Sequence, residues 1–96
     1  MKVVLTARAK DDLLRIADYI ARDNSARALS FVRELRDAAL GLDEMHGVYP
    51  IIPRYARQRL RRRVQGNYLI FFRVDERQVV VVRILHGAMD LDPLLS

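Results

Sequence analysis

The chain has 96 residues, half of them hydrophobic, no cysteine and a net charge of +5. That length allows one domain, 1–96, and its apolar content is enough to fold. Lack of cysteine excludes disulfides, thiolate catalysis and thiolate zinc sites, and suits a reducing cytoplasm. No apolar run approaches the ~18 residues of a membrane span and the start shows no signal-peptide pattern, so the expectation is a cytoplasmic protein that avoids the membrane.

The charge has a specific origin. Lys2 and Lys10 are the only lysines, and every other basic residue is arginine. From Met45 to Val74 there is no Asp or Glu, while Arg54, Arg57, Arg59, Arg61, Arg62, Arg63 and Arg73 all fall there. Arginine's planar fork suits bidentate recognition of carboxylate or phosphate. Such a surface fits an acidic protein partner as well as nucleic acid.

In chain order, Lys2-Val-Val-Leu5 reads as a short strand, with Thr6 as the N-cap of the next element. Leu13, Ile16, Ala17 and Ile20 form one apolar face of a helix over about 8–22. Asp11 and Asp12 in its early turns and Arg22 near its end match the helix dipole. Asp23-Asn24 breaks it, and Ser25 caps a second helix with Ala28, Val32, Leu35, Ala39 and Leu42 as its stripe. So short a break implies an antiparallel helical hairpin. Gly47, Pro50 and Pro53 make 44–57 irregular. Strands are expected at about 59–64, 68–74 and 78–85, and the tail from Asp90 is expected to turn back on the sheet. The fold class is α+β: a two-layer, antiparallel sheet in the order β-α-α-β-β-β, with the hairpin packed on one face.

Tyr68-Leu-Ile-Phe-Phe-Arg-Val74 and Val79-Val-Val-Val-Arg-Ile-Leu85 are apolar at nearly every position. A strand with one wet face alternates, so these runs imply burial on both faces, whereas the helices cover only one. Charge parity sets the expected register. Three-residue loops at 65–67 and 75–77 pair Val64 with Tyr68, Val74 with Gln78 and Leu69 with Arg83, and so keep arginines from being buried unpaired beneath the helices. The core face is then Leu60, Val64, Tyr68, Ile70, Phe72, Val74, Val80, Val82 and Ile84. The opposite face is an apolar floor with an arginine rim, and it requires a cover. That cover is an acidic partner or, alternatively, the 44–57 loop and the tail.

Signals for chemistry are sparse: no glycine-rich phosphate loop, no G-x-S-x-G and no metal-ligand spacing. Neither cofactor nor metal is expected. Ser25, Ser30 and Ser96 stand near no evident base, and His46 lies in a loop. His86 ends the last strand, where it either acts as a general acid or base on a phosphodiester or caps the strand and bonds a carboxylate such as Asp90.

The order strand, helical hairpin, proline-containing loop, three-stranded meander and then Arg83-Ile-Leu-His-Gly-Ala-Met-Asp-Leu91 resembles the RelE/ParE superfamily of type II toxin–antitoxin toxins. The likeness spans essentially the whole chain. It is carried also by Ala9-Lys-Asp-Asp-Leu13 with Ile16, Tyr19 and Ile20, by Ala28, Phe31 and Leu35, and by Tyr68 to Val74. The ending Arg-Ile-Leu-His-x-x-Met-Asp resembles the ParE, or plasmid stabilisation, branch. The resemblance implies a small growth-inhibiting toxin that acts on DNA gyrase. It implies neutralisation by a cognate ParD-like antitoxin with an acidic C-terminal segment, in a complex that can bind operator DNA through the antitoxin. The expected antitoxin- or target-binding face is Arg59, Arg61, Leu69, Phe71, Arg73, Val79, Val81, Arg83, His86 and Asp90. The RelE branch implies an alternative, a ribosome-dependent mRNA endoribonuclease, for which the candidates are Arg61, Arg73, Arg83 and His86.

Overall fold

The computed structural model describes residues 1–95; Ser96 lies outside the described residues. Lys2–Leu5 (β1) leads through Thr6 into Ala7–Ala21 (α1), and the Thr6 hydroxyl accepts from the Ala9 amide at 3.1 Å. This closes one of the orphan donors at the helix start. The second helix, Ser25–Leu40 (α2), begins at the residue expected to cap it, and the cap lies one residue earlier: Asn24, not Ser25, accepts from the Arg27 amide. A short turn of helix, Leu42–Met45 (α3), and two 3₁₀ segments, His46–Val48 and Pro53–Gln58, organise the proline-containing stretch. The strands Arg61–Gln65 (β2), Tyr68–Val74 (β3) and Gln78–His86 (β4) follow, and Asp92–Leu95 (α4) closes the chain.

The fold is α+β, with the strands in the order β1-β4-β3-β2. The meander is antiparallel as expected, but β1 joins β4 in parallel, Val3 beside Val79, so the sheet is mixed. The helical hairpin packs on one face through Ala9, Ile16, Leu35 and Ala39 against Ile70, Phe72, Val79, Val81 and Ile84.

Both expected registers are off by one. Gln65 pairs with Tyr68 across a two-residue turn in which Gly66 takes φ 60°. Two-residue hairpin turns require that positive φ, which glycine adopts without a Cβ clash. At the next turn Val74 pairs with Val79, not Gln78. One residue of slip exchanges faces. Val79 and Val81 therefore lie under the helices, in the places expected for Val80 and Val82. A β-bulge then restores the phase: Phe72 faces Val81 and Phe71 faces Arg83, leaving Val82 as the extra residue. Ile84 consequently reaches the helix face as expected.

The slip also overturns the shared arginine face. Arg61 and Arg63 stand opposite Phe72 and Ile70, on the helix side, and are not left unpaired there. Arg61 donates to the Tyr49 carbonyl at 2.7 Å and Arg63 to the Ala38 carbonyl at 3.0 Å. Val64, expected in the core, is exposed. Leu60, expected beneath the helices, is buried on the other face.

That second face is not bare. Leu69, Phe71 and Leu85 do line it, as expected, but the chain covers them with Tyr55, Leu60 and Leu95, aided by Ile52, Leu91 and Leu94. The intramolecular cover, the 3₁₀ segment and the tail, displaces the expectation of an exposed floor. Phe71 is fully buried between these side chains.

Candidate functional site

The four groups proposed for phosphodiester chemistry do not converge. Arg61 stands opposite Phe72 and His86 opposite Tyr68, four residues apart along β3, which at 3.3 Å per residue is about 13 Å. Arg73 points to the other face and lies 3.6 Å from Asp75, which Arg59 also approaches at 3.4 Å. Arg83 is buried, its Nε and a terminal nitrogen each 2.9 Å from one oxygen of Asp12. His86 Nδ1 accepts from the Ala88 amide at 3.0 Å, so this histidine holds the turn after β4. Asp90 is exposed in that turn. Arg83 and His86 lie at one end of the sheet, but Arg61 and Arg73 stand away from them, so the four form no common centre, and general acid–base work requires direct reach.

The ten residues expected on one binding face are likewise divided. Val79 and Val81 are core; Leu69 and Phe71 lie under the tail; Arg59 and Arg73 share Asp75; Arg83 is consumed by Asp12. What the structure brings together instead is Asp12, Arg83, Tyr68 and His86, at one end of the sheet beside α1.

Asp12 is the residue that sequence reasoning misplaced, as a helix-dipole partner. It is buried, it takes both arms of Arg83, and it also accepts from the Ile84 amide at 2.9 Å. The bonds to Asp12 raise the Arg83 pKa above its ordinary value, against the opposing effect of desolvation. A usable signal was present. Asp12 falls at i+3 from Ala9 and i−4 from Ile16, both buried, and Arg83 interrupts an apolar strand. Opposite charges embedded in two apolar segments are natural partners, because neither can be buried alone.

Above this pair lies an open trough of about 370 Å³. Its walls are α1 (Arg15, Ile16, Tyr19), the margin of β4 from Arg83 to His86, and Met89 with Leu94 of the tail. Tyr19 is exposed, while Tyr68 packs against Phe31 at 5.4 Å and edge-on against His86 at 5.1 Å. Burial, and secondarily the nearby Tyr19, raise the Tyr68 pKa, so its hydroxyl stays protonated. The walls are mainly apolar, with a single arginine on the rim.

At the far end of the tail, Asp92 is held by the Arg54 guanidinium and the Tyr55 hydroxyl. The Arg54 hydrogen bonds, then that from Tyr55, lower its pKa. The reciprocal bond to Asp92, then desolvation, raises that of Tyr55. Among the described residues no group of His, Asp and Glu is arranged to hold a metal ion, and no helix is long and apolar enough to cross a membrane.

Comparison with known proteins follows this geometry. A family model described as the ParE toxin of the type II toxin–antitoxin system parDE matches residues 3–91. Among solved structures, one titled as the chromosomal ParDE TA system from P. aeruginosa superimposes with a TM-score of 0.74. The match covers 90% of this chain and 95% of that one, at 20% sequence identity. At that identity the likeness concerns the fold. Comparison with curated proteins yields no match.

Proposed function

Because the chain belongs to the ParE toxin family of type II toxin–antitoxin systems, we propose that it is the toxin of a ParDE-type pair, held inactive by a cognate acidic ParD-like antitoxin and directed, once free, at DNA gyrase. The family match over residues 3–91 carries the reading. The chemistry of the surface supports it: the net charge of +5 comes almost wholly from arginines, and these favour a carboxylate-rich partner. Inhibition by binding also fits the scatter of Arg61, Arg73, Arg83 and His86, which a ribonuclease would need within reach of one phosphate. In this reading the toxin acts in the cytoplasm, and operator DNA is contacted by the antitoxin.

Purified protein added to a gyrase supercoiling reaction tests the target. The expected result is loss of supercoiling near one toxin per enzyme, restored by the antitoxin. Unaffected supercoiling, with growth arrest still produced in cells, would refute gyrase as the target. New 5′ ends on messages from expressing cells would move the assignment to the ribonuclease branch.

A further inference from the structure

The sheet has two outermost strands, β2 and β1, and only one of them is guarded. β2 carries Arg61, Arg62 and Arg63 in a row, and the loop ahead of it donates the Ile52 amide to the Leu60 carbonyl at 2.8 Å. Consecutive charges on an outermost strand discourage pairing with another chain. β1, Lys2-Val-Val-Leu5, has no such run. It pairs with β4 on one side, and beyond Leu5 the Thr6 amide continues the ladder to the Val81 carbonyl. In a strand the amide and carbonyl of one residue point to the same side, and the direction reverses at the next. Since Thr6 turns its main-chain groups toward β4, Val4 does too, and Val3 and Leu5 turn theirs outward. Among the described residues no hydrogen bond reaches those four groups.

Beside this margin lies a groove of about 420 Å³, walled by Val3 and Leu5 of β1, Lys10 and Leu13 of α1, and Arg36 and Leu40 of α2. Its floor is apolar, and Leu40 is exposed. Its charges are all positive: no carboxylate lines it, and among the described residues neither Lys10 nor Arg36 enters an ion pair. A strand that faces outward accepts an extended segment through main-chain hydrogen bonds, with flanking pockets selecting alternate side chains. Here the cations select an acidic segment. They oppose a second copy, which would bring Lys10 and Arg36 against their own kind. Pairing along Val3–Leu5 covers about three residues, or roughly 10 Å. So short a contact supplies only part of the ~800 Å² per partner on which a lasting inhibitory complex rests. It suits a segment of a large enzyme, engaged only while the toxin acts. We propose that an extended acidic segment of the toxin's target adds to the sheet as a fifth strand beside β1. This rests on the reading above that the target is DNA gyrase. The added strand sets one apolar side chain over Leu13 and Leu40 and a carboxylate beside Lys10 and Arg36.

The test uses the intact chain, purified gyrase and the purified cognate antitoxin. The Val3 and Leu5 amides are expected to exchange about tenfold or more slowly with gyrase bound. A control variant, Arg22→Glu with Arg33→Glu, makes a double charge reversal at exposed sites outside the groove. Lys10→Glu with Arg36→Glu makes the same charge change inside it, and is expected to bind gyrase about tenfold more weakly than the control. The two variants are expected to bind the antitoxin alike. Gyrase binding with unchanged exchange at Val3 and Leu5, or equal gyrase affinity in the two variants, overturns the strand addition and leaves the toxin reading intact. Slowing in concentrated toxin alone assigns the margin to a second copy, and slowing with antitoxin but not with gyrase assigns it to the antitoxin; either overturns the proposal. If the unaltered chain neither binds gyrase nor stops supercoiling, the target reading itself fails, and the proposal with it.

Discussion

A guanidinium inside an apolar strand is tolerated either by turning it to solvent or by bringing a carboxylate to it. Arg83 takes the second course. Solvent exposure was the premise from which the expected register followed, and Asp12 makes that premise unnecessary. Arg63 and Arg61 repeat the lesson with backbone carbonyls in place of a carboxylate. A buried pair of this kind is costly to break and contributes little over an apolar pair of the same volume. Asp12→Ala is therefore expected to destabilise the chain by about 3–5 kcal/mol, because it leaves the guanidinium buried and unpaired. The double variant Asp12→Leu with Arg83→Met is expected to recover most of that loss. Urea denaturation of Asp12→Ala, of the single variants Asp12→Leu and Arg83→Met, and of the double variant measures both. Two single losses that simply add in the double variant would show that the residues are not coupled.

At the scale of elements, the bulge in β4 and the closing tail shape the molecule. The bulge returns β4 to phase, so that one strand supplies Val79 and Val81 to the helices before it and Ile84 after it. The tail is only a turn of helix, yet Leu95 seals the second face against Tyr55, Leu60, Phe71 and Leu85. A four-residue helix does not hold itself together in water, so its position depends on what it packs against and on the Asp92 clasp. That clasp has a pH dependence of definite sign. The Asp92 pKa is lowered in the fold, so its contribution is fully present above the ordinary carboxylate range and is lost as pH falls through the depressed value. The Tyr55 pKa is raised, so its contribution is present below the ordinary phenol range and fades only as pH rises through the higher value. The difference in Tm between this chain and Asp92→Asn is thus expected to hold through neutral pH and to shrink in acid. A difference independent of pH would show that the clasp is not ionic.

For the molecule as a whole, charge and topology divide the work. The sheet presents two buried faces and two margins, and the arginines are spread over loops, strands and helices instead of forming a single basic face. Long-range attraction from a net charge of +5 accelerates encounter with an acidic partner and is screened within about 8–10 Å at physiological salt. The association rate with the antitoxin is accordingly expected to fall by about tenfold between low and near-physiological salt, while the dissociation rate changes little. Stopped-flow mixing at several salt concentrations measures both, and a salt-independent association rate would remove electrostatic steering from the account.

The sequence by itself determined the elements and their order: Thr6 before a helix with the Leu13–Ile20 stripe, a hairpin of two helices, a proline-interrupted passage and a meander of three strands. These follow from short-range rules, capping, periodicity and turn chemistry, which act within a few residues. It also determined that the strands are buried on both faces, because their apolar runs do not alternate. Only the tertiary structure decided which side chain goes to which face, what covers the second face and where the charges end. Those outcomes depend on partners distant along the chain, Asp12 for Arg83, Ala38 for Arg63, Leu95 for Phe71. A one-residue change in a turn or a single bulged residue reverses them, and local pattern carries no record of which partner arrives.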